Sequence, residues 1–151
     1  LRGNALNVTA TYNKESYNLY LRNVFTKYPH LEQQLLDDFI AYKSTGNLPE
    51  YFGRDTVYDE PEDIRDVSLR HIHFELGDQV FGPLPKWVDL RDKQAVQWYR
   101  TSNTALVYAK HEIEDNHYTL MAVFTPYAHE DAREWPRMRQ LAKFARNFLE
   151  S

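Results

Sequence analysis

Histidine and arginine recur in this chain at positions where they can move a proton beside a phosphate. His71 and His73 lie two apart in RHIHFEL, residues 70–76. His129 stands in TPYAHEDARE, Arg54 in FGRD and Arg100 in WYRTSN. An imidazole titrates near neutral pH and can give or take a proton. A guanidinium can hold a phosphate by parallel hydrogen bonds. Together such groups suit metal-free RNA cleavage. That reaction needs a base for the ribose 2′-hydroxyl, a cation on the phosphate and an acid for the leaving 5′-oxygen.

Each candidate also has a plainer reading. His71 and His73 can be surface histidines or a metal-binding pair. A zinc site needs a third protein ligand, however, and no spacing supplies one, so no metal and no other cofactor is expected. His129 can be a loop or helix-start residue. Arg54 can close a turn by pairing with Asp55, and Arg100 can be a solvated strand-edge residue. The stripe Arg139, Lys143 and Arg146 reads as the wet side of a helix.

Several chemistries are excluded. There is no cysteine, which removes disulfides, thiolate zinc sites and cysteine nucleophiles. There is no glycine-rich phosphate loop, no GxSxG and no carboxylate pair of glycosidase type. No apolar run approaches the ~18 residues of a membrane span, and no secretory signal opens the sequence. A cytoplasmic protein without membrane contact is expected. The formal net charge is −4, which argues against a protein that captures DNA or RNA on its own. The charge is uneven. Residues 30–63 carry nine acids against Lys43 and Arg54, and the remainder is mildly basic.

The elements that must position these residues follow from periodicity. The 151 residues suit one domain, 1–151, with one core. Residues 5–12 read as a strand. A helix follows, with Asn13 as N-cap and Tyr17, Tyr20, Leu21, Val24 and Phe25 at helical spacing. Pro29 opens a second helix, whose stripe is Leu31, Leu35, Leu36, Phe39 and Ile40 and whose stop is Gly46. The pair predicts a helical hairpin. Residues 47–65 read as irregular. Strands are expected at 67–76, 96–101, 104–111 and 117–125, with a hairpin turn at EIEDNH and HYTLMAVF as a central strand. In the first of these strands, Arg70, Ile72, Phe74 and Leu76 share one face, and His71, His73 and Glu75 the other. A last helix follows Pro136, with Leu141, Ala145 and Phe148 buried. The class is α+β, with helices packed on an antiparallel sheet.

Four blocks occurring in order carry a family resemblance: DFIAYKSTGNLPEYFGRDTVYDEP, HIHF, RTSNTALVYAKH and LMAVFTPYAHEDARE. From about Asp38 to the C-terminus the chain resembles the YafO-type toxins of bacterial toxin–antitoxin pairs. The stretch Phe81–Gln97 is longer and richer than the family pattern. The resemblance implies a RelE-like fold, with an N-terminal strand, helical hairpin, antiparallel sheet and C-terminal helix. It implies an endoribonuclease, an mRNA interferase that acts with the large ribosomal subunit on translated mRNA and is silenced by a cognate antitoxin. It makes Arg100 and His129 the first catalytic candidates, followed by His71 and His73. Arg54 follows with them, and Arg54, Arg70 and Arg133 are the expected RNA-binding residues.

A competing class is a non-enzymatic acidic binding module, an immunity- or antitoxin-like partner protein. The acidic segment 30–63 suits it.

Overall fold

A computed structural model describes residues 7–151. The first strand, β1 (Thr9–Tyr12), is shorter than expected, and residues 5 and 6 of that reading lie outside the described residues. The Asn13 side chain accepts hydrogen bonds from the Glu15 and Ser16 amides, both 3.0 Å, and so starts the turn that follows. The single helix expected there is two short ones, α1 (Tyr17–Tyr20) and α2 (Arg22–Lys27), separated at Leu21. Leu31–Thr45 forms α3, beginning two residues after Pro29. It stops at Gly46, whose φ of 79° needs a residue without a Cβ.

The stretch 47–65 is not irregular throughout. It contains β2 (Phe52–Val57) and the start of a 3-10 helix, Glu62–Val67. A strand holding glycine, arginine and aspartate gives no apolar alternation, because β2 lies at a sheet edge and is only half-buried. Then come β3 (Arg70–Phe74), α4 (Lys93–Tyr99), β4 (Ala105–Lys110), β5 (His117–Phe124), α5 (Ala128–Asp131) and α6 (Trp135–Leu149). The strand expected over 96–101 is thus the end of a helix. Asp92 caps it by accepting from the Ala95 amide at 3.1 Å.

The five strands form one sheet in the order β1-β5-β4-β3-β2. The pairs from β5 to β2 are antiparallel, as expected. β1 joins the β5 edge in parallel, so the sheet is mixed. β5 is interior, between β1 and β4, and buried along nearly its whole length. The class is α+β with a C-terminal helix, consistent with a small RelE-like domain.

Both sheet faces are covered. Leu21 and Phe25, with Leu31, Leu35 and Phe39, pack on the face of Phe52, Ile72, Phe74, Leu106 and Leu120. Met138, Leu141, Ala142 and Ala145 of α6 pack on Val107, Ala109, Met121 and Ala122 of the opposite face, beside Ile64 and Val67. Leu141 and Ala145 are fully buried as the apolar period requires, whereas Phe148 is half-buried. Among the described residues no helix is long and apolar enough to cross a membrane.

Candidate functional site

The layer containing α6 covers the β4–β5 half of its face and leaves part of β2 and β3 open. There an open cavity of about 800 Å³ forms. Strand parity supplies its floor. Ile72 and Phe74 are fully buried on the α3 side, so His71 and His73 must face the other way. Both imidazoles line the cavity, with ring centroids 5.3 Å apart at 63°. His129 and Arg133 line it from α5 and the turn after it, and Arg54 from β2.

Two contacts hold the His129 turn in place. The Ala128 amide donates to the Asn103 carbonyl at 3.0 Å. Arg137 of α6 donates to Asp131 at 2.6 Å. His129 itself is exposed.

His73 has a defined tautomer partner. Its Nδ1 lies 2.8 Å from the Ser102 carbonyl and 3.2 Å from the Ser102 amide. The shorter contact is Nδ1–H donating to the carbonyl, which leaves Nε2 as a free acceptor. Burial lowers the His73 pKa, the hydrogen bond to Ser102 opposes that, and Arg54 and His129 lower it further. The ring is therefore neutral and basic at Nε2 near pH 7.

His71 is held differently. Its ring stacks on Tyr58 with centroids 4.0 Å apart and planes 9° from parallel. Burial, with His73 second, pushes its pKa down to about 3. Its Nδ1 is buried with no hydrogen-bond partner. Burial also raises the Tyr58 phenol, so the stacking plate stays neutral.

Arg54 lies over the Trp98 ring, 4.1 Å from its centroid, and its Nε donates to the Trp98 carbonyl at 2.6 Å. Carboxylates also line the cavity, at Asp59, Glu60 and Asp78. Two guanidiniums are thus set against three acids.

Two sequence candidates lie elsewhere. Arg100 does not line the cavity. Its guanidinium donates to the Glu50 carbonyl and covers the Phe81 ring at 4.6 Å. Its place in the fold comes from its backbone, since its carbonyl accepts from the Arg54 amide at 2.9 Å. Arg70 faces the α3 side, as its parity with Ile72 requires. There its Nε donates to the Tyr108 hydroxyl at 3.1 Å and lies 3.6 Å from Asp55. The sequence reading missed Tyr58 and Ser102. Ser102 sits two residues after Arg100 in WYRTSN and was within reach; nothing local marks Tyr58 as the plate under His71. No group of three or more His, Asp or Glu among the described residues is arranged to hold a metal ion.

The fold and cavity define a small α+β domain whose cleft joins three imidazoles and two guanidiniums, a set suited to proton transfer at a phosphate ester. The family model described as Toxin YafO, type II toxin-antitoxin system, matches residues 40–150. The mRNA interferase toxin YafO of Escherichia coli (strain K12) is 33% identical over 118 residues, spanning 76% of this chain and 82% of that protein. No solved structure matches. The chain belongs to the YafO family of type II toxin–antitoxin toxins. It stands on the toxin side of the pair, so an immunity- or antitoxin-like partner protein is the wrong class.

Proposed function

We propose that this toxin is an mRNA interferase that cleaves translated mRNA on the ribosome by general acid–base catalysis. The observation that carries the reading is the cleft itself, where His71, His73 and His129 meet Arg54 and Arg133. The E. coli relative is named an mRNA interferase toxin. His73 is the base, because its Nε2 is free while Ser102 holds its other nitrogen. It takes the 2′-hydroxyl proton, and the 2′-oxygen attacks the adjacent phosphorus. His129, exposed on the other wall, is the acid that protonates the leaving 5′-oxygen. Arg54 and Arg133 hold the phosphate oxygens as charge builds on them. His71 stays neutral and shapes the floor.

The ribosome's part follows from charge. Three carboxylates beside two guanidiniums leave the cleft without the basic surplus that captures free RNA. A ribosome that presents mRNA removes that need. The protein has a cognate antitoxin, as a member of a two-component system.

The test is expression of the chain alone in bacteria, followed by cleavage on programmed ribosomes. The wild type should arrest growth and cut mRNA. Coexpressed antitoxin should restore growth. A wild type that arrests growth but leaves mRNA whole would refute the nuclease reading.

A further inference from the structure

A second cavity, of about 280 Å³, shares Arg54 with the first. Arg70 of β3 and Asp55 of β2 line it, as do Gln94 and Trp98 of α4. Its electrostatics differ from those of the acid-lined cleft. Asp55 is held within the protein, its side chain only 7% exposed. It accepts from the Tyr108 hydroxyl at 2.6 Å, the Tyr42 hydroxyl at 2.9 Å and Lys43 Nζ at 3.0 Å. Arg70 Nε adds a longer contact at 3.6 Å. The lining thus sets one carboxylate, already paired with Lys43, against two guanidiniums, Arg54 and Arg70. The surplus is positive, in a protein whose net charge is −4.

The accessible groups are those a nucleotide uses. The Arg70 side chain is 39% exposed. Trp98 is 49% exposed and carries the Arg54 guanidinium over its ring. A half-exposed indole with a guanidinium on one face is a stacking platform for a base in a single strand. Gln94, exposed in the first turn of α4, brings an amide that can both donate and accept at a base edge.

We propose that this cavity binds the nucleotide next to the scissile phosphate on the same mRNA strand. Arg54 and Arg70 take the intervening phosphate, Trp98 stacks the base, and Gln94 meets its edge. Because Arg54 borders both cavities, the strand meets a cation where it passes from one to the other. This rests on the ribonuclease reading above and adds a subsite and a determinant of sequence preference to it.

The test uses programmed ribosomes and the full chain, comparing wild type with Gln94→Glu and Trp98→Ala. Glutamate in the first turn of a helix is favourable to the helix, so Gln94→Glu keeps the fold while opposing a phosphate. Each variant should raise the toxin concentration for half-maximal cleavage about tenfold, on the scale of one lost base stack. An mRNA with an abasic nucleotide on one flank of the cut should erase the difference between wild type and Trp98→Ala. Variants that cut at wild-type concentrations would overturn the subsite and leave the nuclease reading intact. A difference that persists with abasic nucleotides on either flank also overturns it, because the loss then does not come from a base stacked on Trp98. A wild type that cuts nothing overturns the nuclease reading, and the subsite with it.

Discussion

At the scale of single residues, His71 and His73 share a strand face but not a chemical state. His73 has one nitrogen on the Ser102 carbonyl and one free. His71 has its Nδ1 buried and unpaired. His73→Ala and His129→Ala should each lower ribosome-dependent cleavage by ~10²-fold, the usual scale for losing an acid or base. Single-turnover cleavage checks this, and near-normal activity in both would place the chemistry elsewhere. His71 calls for a stability measurement. Unfolded, it takes up a proton below about pH 6.5; folded, it resists protonation until about pH 3. Between those values the unfolded state binds more protons, so stability falls as pH drops through the window. His71→Phe keeps the stack on Tyr58 and removes both the titration and the unpaired nitrogen. It should gain about 1–3 kcal/mol at neutral pH and flatten the decline between pH 6.5 and 3. Denaturant titrations across that range would show a wild-type slope in the variant if the assignment is mistaken.

At the scale of elements, α4 and β2 determine where the arginines go. The Arg100 carbonyl approaches Gly53 so closely that an added Cβ would lie 2.1 Å from it. Gln97 of α4 also donates to the Gly53 carbonyl at 3.0 Å. The glycine in FGRD therefore permits docking against a sheet edge rather than a turn. Gly53→Ala should force α4 away from β2 and cost about 1–3 kcal/mol, the range for an overpacked contact. It should also raise the toxin concentration needed for cleavage, because Arg54 rests on Trp98 of the same helix. A Gly53→Ala protein with unchanged denaturation midpoint and unchanged cleavage would show that the contact is loose. The open part of the β2–β3 face, beyond the reach of α6, leaves room for the cavity.

At the scale of the whole molecule, a net charge of −4 shapes how RNA is met. Free RNA should be cut at least ~10²-fold more slowly than the same sequence on a ribosome, since the net charge is negative and the cleft has no basic surplus to collect phosphates. Parallel cleavage assays with naked and translated mRNA measure the ratio. Equal rates would mean that the protein captures RNA unaided. The acidic segment 30–63 is not one surface patch. Asp55 is enclosed among Lys43, Tyr42 and Tyr108. Asp38 accepts from the Tyr51 hydroxyl at 2.6 Å. Part of the negative charge counted along the chain is thus consumed in internal bonds.

Periodicity alone determined the α+β class, α3 with its Gly46 stop, the β4–β5 hairpin and the buried stripe of α6. Those features depend on neighbours in sequence, on apolar residues that recur at the helical period or run together in a strand. Strand parity put both imidazoles of β3 opposite Ile72 and Phe74. Tertiary structure decided what parity cannot. β1 runs parallel to β5, which depends on the path of the intervening chain. β2 is an edge strand in which only Phe52 joins a core cluster, so it leaves no apolar pattern. WYR ends a helix that docks on β2, where Gln97 donates to the Gly53 carbonyl, 44 residues away in sequence. Arg100 was expected beside His129, yet its guanidinium lies on Glu50 and Phe81, residues far from it in sequence. Where a side chain ends depends on the space that distant elements leave open, and that is settled only when the layers close on each other.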